Sequence, residues 1–472
     1  MDALNNIMCL TDSYKTSHYR LYPTNCEYIY SYFESRGGKF EETVFFGLQY
    51  IIKKYLIGQV ITEDKIKISK TVIDSHMGPD IFNEKGWRYI LEKHGGKLPI
   101  VIKAVPEGTI VPVQNVLMTV ENTDPACSWL TNYLETLLVQ VWYPMTVATI
   151  SFFQKKVLAA YLNKTSSSIK DILFKLHDFG FRGVSSVESA ALGGIAHLVN
   201  FSATDTLASL LCAAKYYNCP CAGYSLPATE HSTITTWSEQ GELNAYRNLL
   251  EKYPSGTIGC VSDSYNIFRA CSELWGEALK EKVLERDGTL VIRPDSGDPC
   301  EILTKVLDIL GSKFGFEKNE KGYKVLPQQV RIIQGDGISY DSLGKILESI
   351  AASGWSTENV TFGSGGALLQ KMNRDTQQCA FKCSSVVVNG QESDVFKDPI
   401  TDRNKKSKKG RLILEFNHVT NKLETYQQIK DVAPRKDVLR EVFRDGLLLI
   451  DDTLDQIRKR IDSQVDFSNL HI

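Results

Sequence analysis

At 472 residues, 43% hydrophobic and 23% charged, the chain has the make-up of an ordinary globular enzyme. It is long enough to bury a large core without disulfide or metal staples. A net charge of −2 gives no global attraction for nucleic acid or an anionic membrane, so any phosphate recognition has to be local. The first fifteen residues lack a basic segment followed by an apolar run, and the eleven cysteines are scattered and odd in number. Both features predict a chain without a signal peptide, with free thiols, in a reducing cytoplasmic (or nuclear) compartment.

In chain order, residues 45–58 (FFGLQYIIKKYLIG) carry a helical pattern, and residues 98–120 alternate around Pro and Gly turns as antiparallel sheet does. The most apolar stretch, Leu137 to Phe153, is interrupted by Gln140, Trp142, Tyr143 and Pro144. Its length and these interruptions predict a buried segment rather than a membrane span. From Ile172 to Leu369 an apolar run leads seven times into a polar, glycine-bearing turn and then into a helix-like stretch, at intervals of about 25 to 40 residues. This predicts an α/β fold with a barrel-like parallel β/α domain over residues 150–380, its active site at the C-terminal edge of the strands. Spacing alone leaves an open sheet as the alternative. Residues 381–430 again look like strands. The two flanks, 1–149 together with 381–472, are expected to form a second, α+β domain, mostly antiparallel β and discontinuous in sequence.

The turns carry the chemistry. Arg293-Pro-Asp295-Ser-Gly297-Asp298 puts an arginine and two carboxylates after an apolar strand, where they suit phosphate oxygens, sugar hydroxyls or a hydrated Mg²⁺. Gln334-Gly335-Asp336-Gly337 and Phe362-Gly363-Ser364-Gly365-Gly366 follow the last two strands, where backbone N–H groups and a helix N-terminus commonly bind phosphate. A plain turn explains either loop alone about as well. His177-Asp178-Phe179-Gly180-Phe181-Arg182 sets an aromatic beside charges, suited to stacking a flat aromatic ligand, with core packing as an even alternative. The triplet Asp178-Phe179-Gly180 is not a kinase signature, because no kinase catalytic loop or glycine-rich ATP loop accompanies it. Glu230-His231 pairs a carboxylate with an imidazole that it could orient, and Asp205 could cap a helix or meet a ligand. The basic run Arg403 to Arg411 reads as a solvated face, a localisation signal or a polyphosphate contact.

Taken together and in order, TDSYKTSHY, YSYFESRGG, ETVFFGLQYI, AVPEG, ENTDP, KLHDFGFRGVSS, SATDT, GYSLPATEHSTIT, VSDSYNI, IRPDSGDP, IQGDG, FGSGGALLQKMNRD, FKCS, FKDP and RNKKSKKGR resemble the nicotinamide phosphoribosyltransferase family over nearly the whole chain. The resemblance implies a type II phosphoribosyltransferase that joins nicotinamide to 5-phosphoribosyl 1-pyrophosphate in NAD salvage. It further implies ATP as a coupling substrate and a homodimer with active sites at the subunit interface. Mg²⁺ is expected as cofactor, held largely by pyrophosphate, with no protein ligand assigned.

Carried over by motif, Phe179 would stack on nicotinamide, with Tyr14 of the other subunit on the opposite face. Asp205 would read the carboxamide, with Ser225 also at the substrate. Arg182, Arg293 and Asp295 would hold the phosphoribosyl donor, with Asp263 organising the diphosphate region. Gly335, Asp336, Gly365 and Gly366 would take the ribose and 5′-phosphate, completed from the other subunit by Arg374, Lys382, Lys397 and Lys405. His231 would be phosphorylated by ATP, and Glu230 would orient it. Three departures stand out: a short segment after Arg36, Phe181 where the family commonly has tyrosine, and Ala367 in place of a glycine.

Other readings compete with this one. A nicotinate phosphoribosyltransferase is the alternative within the class. From other classes come a scaffolding protein that keeps the fold without turnover and an aldolase-like phosphate-binding barrel.

Overall fold

The computed structural model describes residues 5–401, 405–429 and 436–471; Arg403 of the basic run lies outside them. The chain divides into two compact units, Met1–Thr149 with Met372–Arg460, and Ile150–Lys371 with Ile461–Ile472.

The first unit is built on a seven-stranded antiparallel sheet. Its order is Gln391–Asp394, Cys379–Val388, Cys26–Ser35, Val116–Asn122, Ile100–Ala104, Arg440–Arg444 and Leu447–Leu448. The N-terminal flank supplies the central strands and the C-terminal flank both edges, so the sheet is completed only when the two flanks meet. Tyr32 pairs with Lys382 and Phe33 with Phe381 across that seam. Of residues 45–58, only Leu48–Ile51 is an α-helix, and the wider π turn of Ile52–Leu56 completes the helical segment.

The second unit is the parallel barrel. Five strands pair in the order Leu176–Asp178, Val360–Ser364, Val330–Gln334, Leu290–Arg293 and Ile258–Val261. Single parallel bridges from Asp178 to Thr204, Ala203 to Tyr224 and Ala228 to Gly259 carry the ring round to its start. Seven strand-like segments therefore enclose the interior, one for each of the seven sequence phrases. Two of them are too short and too polar to form ladders.

Strand alternation sorts the side chains. Val330 and Ile332 face outward into a core completed by Leu303, Val306 and Leu307 of helix Pro299–Phe314 and by Leu343, Ile346 and Leu347 of helix Tyr340–Ala352. Arg331 and Ile333 face the barrel interior instead. Helix Pro299–Phe314 starts where the sequence says it should. Asp298 accepts from the Cys300 N–H at 2.8 Å, Pro299 follows as first residue, and Gly315 ends the helix at φ +84°.

The apolar stretch after Leu137 runs into helix Trp142–Thr165, and 67% of its apolar window is buried inside the protein, as in a core helix. The last residues, from Ile461, belong to the barrel unit rather than to the flanks. Asn163 donates to the carbonyls of Phe467 (2.8 Å) and Leu470 (2.9 Å), and Lys155 pairs with Asp462 at 3.2 Å. All eleven cysteines are free thiols.

Candidate active site

A cavity of about 850 Å³ opens at the C-terminal ends of the barrel strands. It is lined by Phe179, Phe181, Arg182, Gly183, Asp205, Thr206, Glu230, His231, Ser232, Arg293, Asp295, Gly335, Asp336, Gly365 and Gly366. Eleven of the residues singled out in the sequence thus converge on one bowl: Phe179, Arg182, Asp205, Glu230, His231, Arg293, Asp295, Gly335, Asp336, Gly365 and Gly366. A second cavity, about 570 Å³, opens at the strands' N-terminal ends and includes Lys175, His177, Ser225 and Arg331. Burial lowers the His177 imidazole pKa, which favours its neutral form there.

The Phe179 ring owes its position to two glycines. A Cβ at Gly363 would fall 2.0 Å from Phe179 Cε2, and one at Gly335 would fall 3.4 Å from the same atom. The ring therefore lies directly on the backbone of the two neighbouring strand ends. Gly363 was expected to serve a phosphate loop; what it provides is the seat of the aromatic platform. Phe179 N–H donates to Ser364 O at 2.9 Å, fixing the turn above that seat.

On the next strand end beyond Gly335, Arg293 pairs with Asp295 at 2.8 Å. Asp298, the second carboxylate of that turn, is spent on its helix cap. Asp263 ties the remaining parts together. Its Oδ2 accepts from the Asp295 N–H at 3.1 Å and from the Ser296 hydroxyl at 2.5 Å, and its Oδ1 lies 3.0 Å from His231 Nε2. An ionised carboxylate can only accept, so Nε2 is the donor in this contact. The partner of His231 is therefore Asp263, and the expectation that Glu230 orients it is corrected. Glu230 accepts from the Ser232 hydroxyl instead, and its N–H donates to Thr233 Oγ1 at 3.2 Å, both at the first turn of helix His231–Thr235. Ser225 stands outside the bowl's lining and donates its hydroxyl to Asp205 Oδ1.

Tyr14, Arg374, Lys382, Lys397 and Lys405 belong to the other unit. Tyr14 sits 58% exposed on the short helix Ser13–Arg20, beside His18 at 5.1 Å between ring centroids. The pKa of Lys382 is lowered, first by burial and then by repulsion from Arg36, Lys397 and Arg374. Three of the predicted cations are thus gathered with a fourth, Arg36, that the sequence reading did not single out. Arg36 Nε donates to Glu34 at 2.8 Å, while its NH2 is buried without a partner. Lys405 is exposed on the following loop.

The comparisons with known proteins agree with this geometry. Residues 174–447 match the nicotinate phosphoribosyltransferase family model, and residues 6–102 match the nicotinamide phosphoribosyltransferase N-terminal domain. The nicotinamide phosphoribosyltransferase of Xanthomonas campestris is 50% identical over 98% of this chain and 99% of its own. The chain belongs to the nicotinamide phosphoribosyltransferase family.

The enzyme of that name from Acinetobacter baylyi is 35% identical over 96% of this chain and 97% of its own. Among solved structures, the nicotinate-nucleotide pyrophosphorylase of Pyrococcus furiosus superposes with a TM-score of 0.60 at 16% identity, covering 99% of this chain and 98% of that one. At such identity the likeness speaks for the fold alone. Family membership makes the chain a phosphoribosyltransferase, and the bowl at the strand ends is where that fold class places its chemistry.

Proposed function

We propose that the chain transfers the phosphoribosyl group of 5-phosphoribosyl 1-pyrophosphate to nicotinamide, forming nicotinamide mononucleotide and pyrophosphate, and that ATP drives the reaction through a phosphohistidine at His231. The observation that carries the reading is one cavity holding an aromatic platform, a carboxylate and an arginine–carboxylate turn together: Phe179, Asp205, Arg293 and Asp295.

Nicotinamide stacks on Phe179 and donates its amide N–H to Asp205. A nicotinate carboxylate in the same place would set like charges together. The pyridine nitrogen is neutral and nucleophilic, so it attacks C1 of the ribose without a protein base as the C1–O bond to pyrophosphate breaks. Positioning over C1 and stabilisation of the leaving charge are what the protein supplies. Arg182 and Arg293 take the phosphate oxygens, and Asp295 takes ribose hydroxyls.

For the coupling step, Nδ1 of His231 attacks the γ-phosphorus of ATP and ADP leaves. Asp263 on Nε2–H compensates the charge that develops on the ring. Water later hydrolyses the phosphohistidine.

Magnesium fits this site as the pyrophosphate's own ion. Among the described residues, the one group of three convergent metal-ligand types is His94, Asp124 and Cys127 in the flanking unit. Its Asp124 is already committed to His94 at 2.7 Å, Tyr89 at 3.0 Å and the Ala126 N–H at 2.8 Å. Of the bowl's carboxylates, Asp295 and Asp336 would hold a hydrated Mg²⁺, and the ion would supply positive charge for the departing pyrophosphate.

We further propose a homodimer in which Tyr14, Arg36, Arg374, Lys382, Lys397 and Lys405 of one subunit complete the bowl of the other. In support, Leu207 and Leu211 lie one turn apart on helix Leu207–Tyr217, 72% and 75% exposed, an apolar stripe suited to cover by a second copy. Cytoplasmic location goes with this reading, since both substrates are metabolites of that compartment.

The test is an assay with nicotinamide and phosphoribosyl pyrophosphate, with and without ATP and Mg²⁺. Nicotinamide should turn over far faster than nicotinate and ATP should stimulate. Equal turnover of the two bases would overturn the assignment, and a His231→Ala variant with undiminished ATP stimulation would remove the phosphohistidine.

A further inference from the structure

Among the described residues of the barrel, Asp178 is the one carboxylate with no solvent exposure, and it lines neither cavity. Its two oxygens point to different parts of the site. Oδ1 accepts the Gly180 N–H at 2.7 Å, on the turn that carries Phe179 and Arg182. Oδ2 accepts the Thr204 hydroxyl at 3.3 Å, and that same hydroxyl oxygen takes the Thr206 N–H at 3.0 Å, bracketing Asp205. The backbone repeats the link, with the Asp205 N–H donating to Asp178 O at 3.0 Å. The packing leaves room for this carboxylate and little more: a Cβ at Gly194 would come within 3.0 Å of Oδ2 and 2.7 Å of Ser209 Cβ.

We propose that Asp178 is a positioning residue that clamps the Phe179 turn to the Asp205 segment and so fixes the spacing between the surface that stacks the pyridine ring and the group that reads its amide. The inference rests on the nicotinamide reading above. A carboxylate is suited to the task because it offers acceptors on both sides, whereas an amide presents a donor to one of them. Burial and the neighbouring Asp205 push the Asp178 carboxyl up to about 6, while no cation pairs with it. The fold therefore bears a cost in keeping it charged, as functional carboxylates commonly do.

The experiment compares the unmodified enzyme with Asp178→Asn and Thr204→Val in steady-state kinetics and thermal melts. Thr204→Val removes the Oδ2 contact and the acceptor of the Thr206 N–H, leaves the Oδ1 contact to Gly180 in place, and keeps the proposal testable if the asparagine variant fails to express. Both variants are expected to raise the KM for nicotinamide about five- to tenfold and to narrow the preference over nicotinate. The KM for phosphoribosyl pyrophosphate should stay within about twofold, and the melting temperature of Asp178→Asn should not fall. A lowered melting temperature with both KM values unchanged, or equal rises in both KM values, would show a merely structural residue. If the unmodified enzyme itself fails to use nicotinamide, the functional reading falls; if it works and the variants match it, only the clamp falls.

Discussion

Gly363→Ala isolates the aromatic platform from everything else in the bowl. Gly363 is not among the glycines with positive φ, so alanine adds no backbone strain at this position. Its methyl would sit 2.0 Å from Phe179 Cε2 and 2.2 Å from Cδ2, against the roughly 3.4 Å of ordinary contact. The ring has to withdraw by more than an ångström or tilt. Stacked aromatic pairs contribute about 0.5–1.5 kcal/mol beyond their buried area. Loss of that stack corresponds to a two- to roughly thirteenfold fall in kcat/KM for nicotinamide. The assay is a double-mutant cycle with Phe179→Ala, measured at saturating phosphoribosyl pyrophosphate. Gly363→Ala alone should cost within that range, and in the Phe179→Ala background its further effect should be less than about twofold. Full additivity of the two changes, or an unaltered nicotinamide kcat/KM in Gly363→Ala, would refute the claim that this glycine acts by seating the ring.

Three further outcomes follow from distances and charges. Asp205→Asn removes the repulsion against a carboxylate ligand, so the ratio of nicotinamide to nicotinate turnover should drop at least about tenfold; an unchanged ratio would place discrimination elsewhere. His231→Ala should abolish ATP stimulation yet leave ATP-free transfer, and Asp263→Asn should weaken the stimulation about tenfold or more through the 3.0 Å contact to Nε2. ³²P retention from labelled γ-phosphate would read both. Because the Asp178 carboxyl is raised from 3.8 to about 6 in the fold, the native state binds its proton more tightly than the unfolded chain. Its contribution to stability is therefore fully present below pH 4 and lost as pH rises through 6, a penalty on the order of 3 kcal/mol at neutral pH. Asp178→Asn should lose that slope, so the gap between variant and unmodified melting temperatures should widen in the variant's favour from pH 5 to pH 7; a constant gap would contradict the assignment.

The barrel was legible because each phrase pairs an apolar strand with a polar turn, and a strand buried on its outer face has to be apolar at alternate positions, as Val330 and Ile332 are. Closure was only partly legible: the phrases at Thr204 and Tyr224 join the ring through single bridges, and spacing alone does not tell a bridge from a full ladder. The bowl's residues were found since they occupy the turns after the strands, where side chains are free of packing duties. Pairings within the bowl were not found. Asp263 lies 32 residues beyond His231, so adjacency pointed to Glu230 while the sheet delivered Asp263. Gly363 reads as one glycine in a run of them, and only the ring lying on it shows its use. Arg36 was missed for a related reason: its strand meets the strand of Lys382 across some 350 residues of chain.

Charge bears on the proposed dimer. The bowl is lined by two arginines against the four carboxylates of Asp205, Glu230, Asp295 and Asp336, a poor host by itself for a substrate with three phosphoryl groups. In the flanking unit Arg36, Lys397 and Arg374 gather around Lys382, whose pKa is lowered first by burial and then by their repulsion. Glu34 pairs with Arg36 and Asp375 with Arg374, yet four cations gathered on one face suit an anion that spends time among them. If that anion is the donor's 5′-phosphate in the bowl of a second subunit, then Lys382→Ala and Arg293→Ala are each inactive alone but complement one another. Random pairing makes half the dimers mixed, and each mixed dimer keeps one undamaged site, so co-expression should restore roughly a quarter of the unmodified activity. Sites built within a single chain would recover nothing on mixing, and that result would reassign the cation cluster to its own subunit.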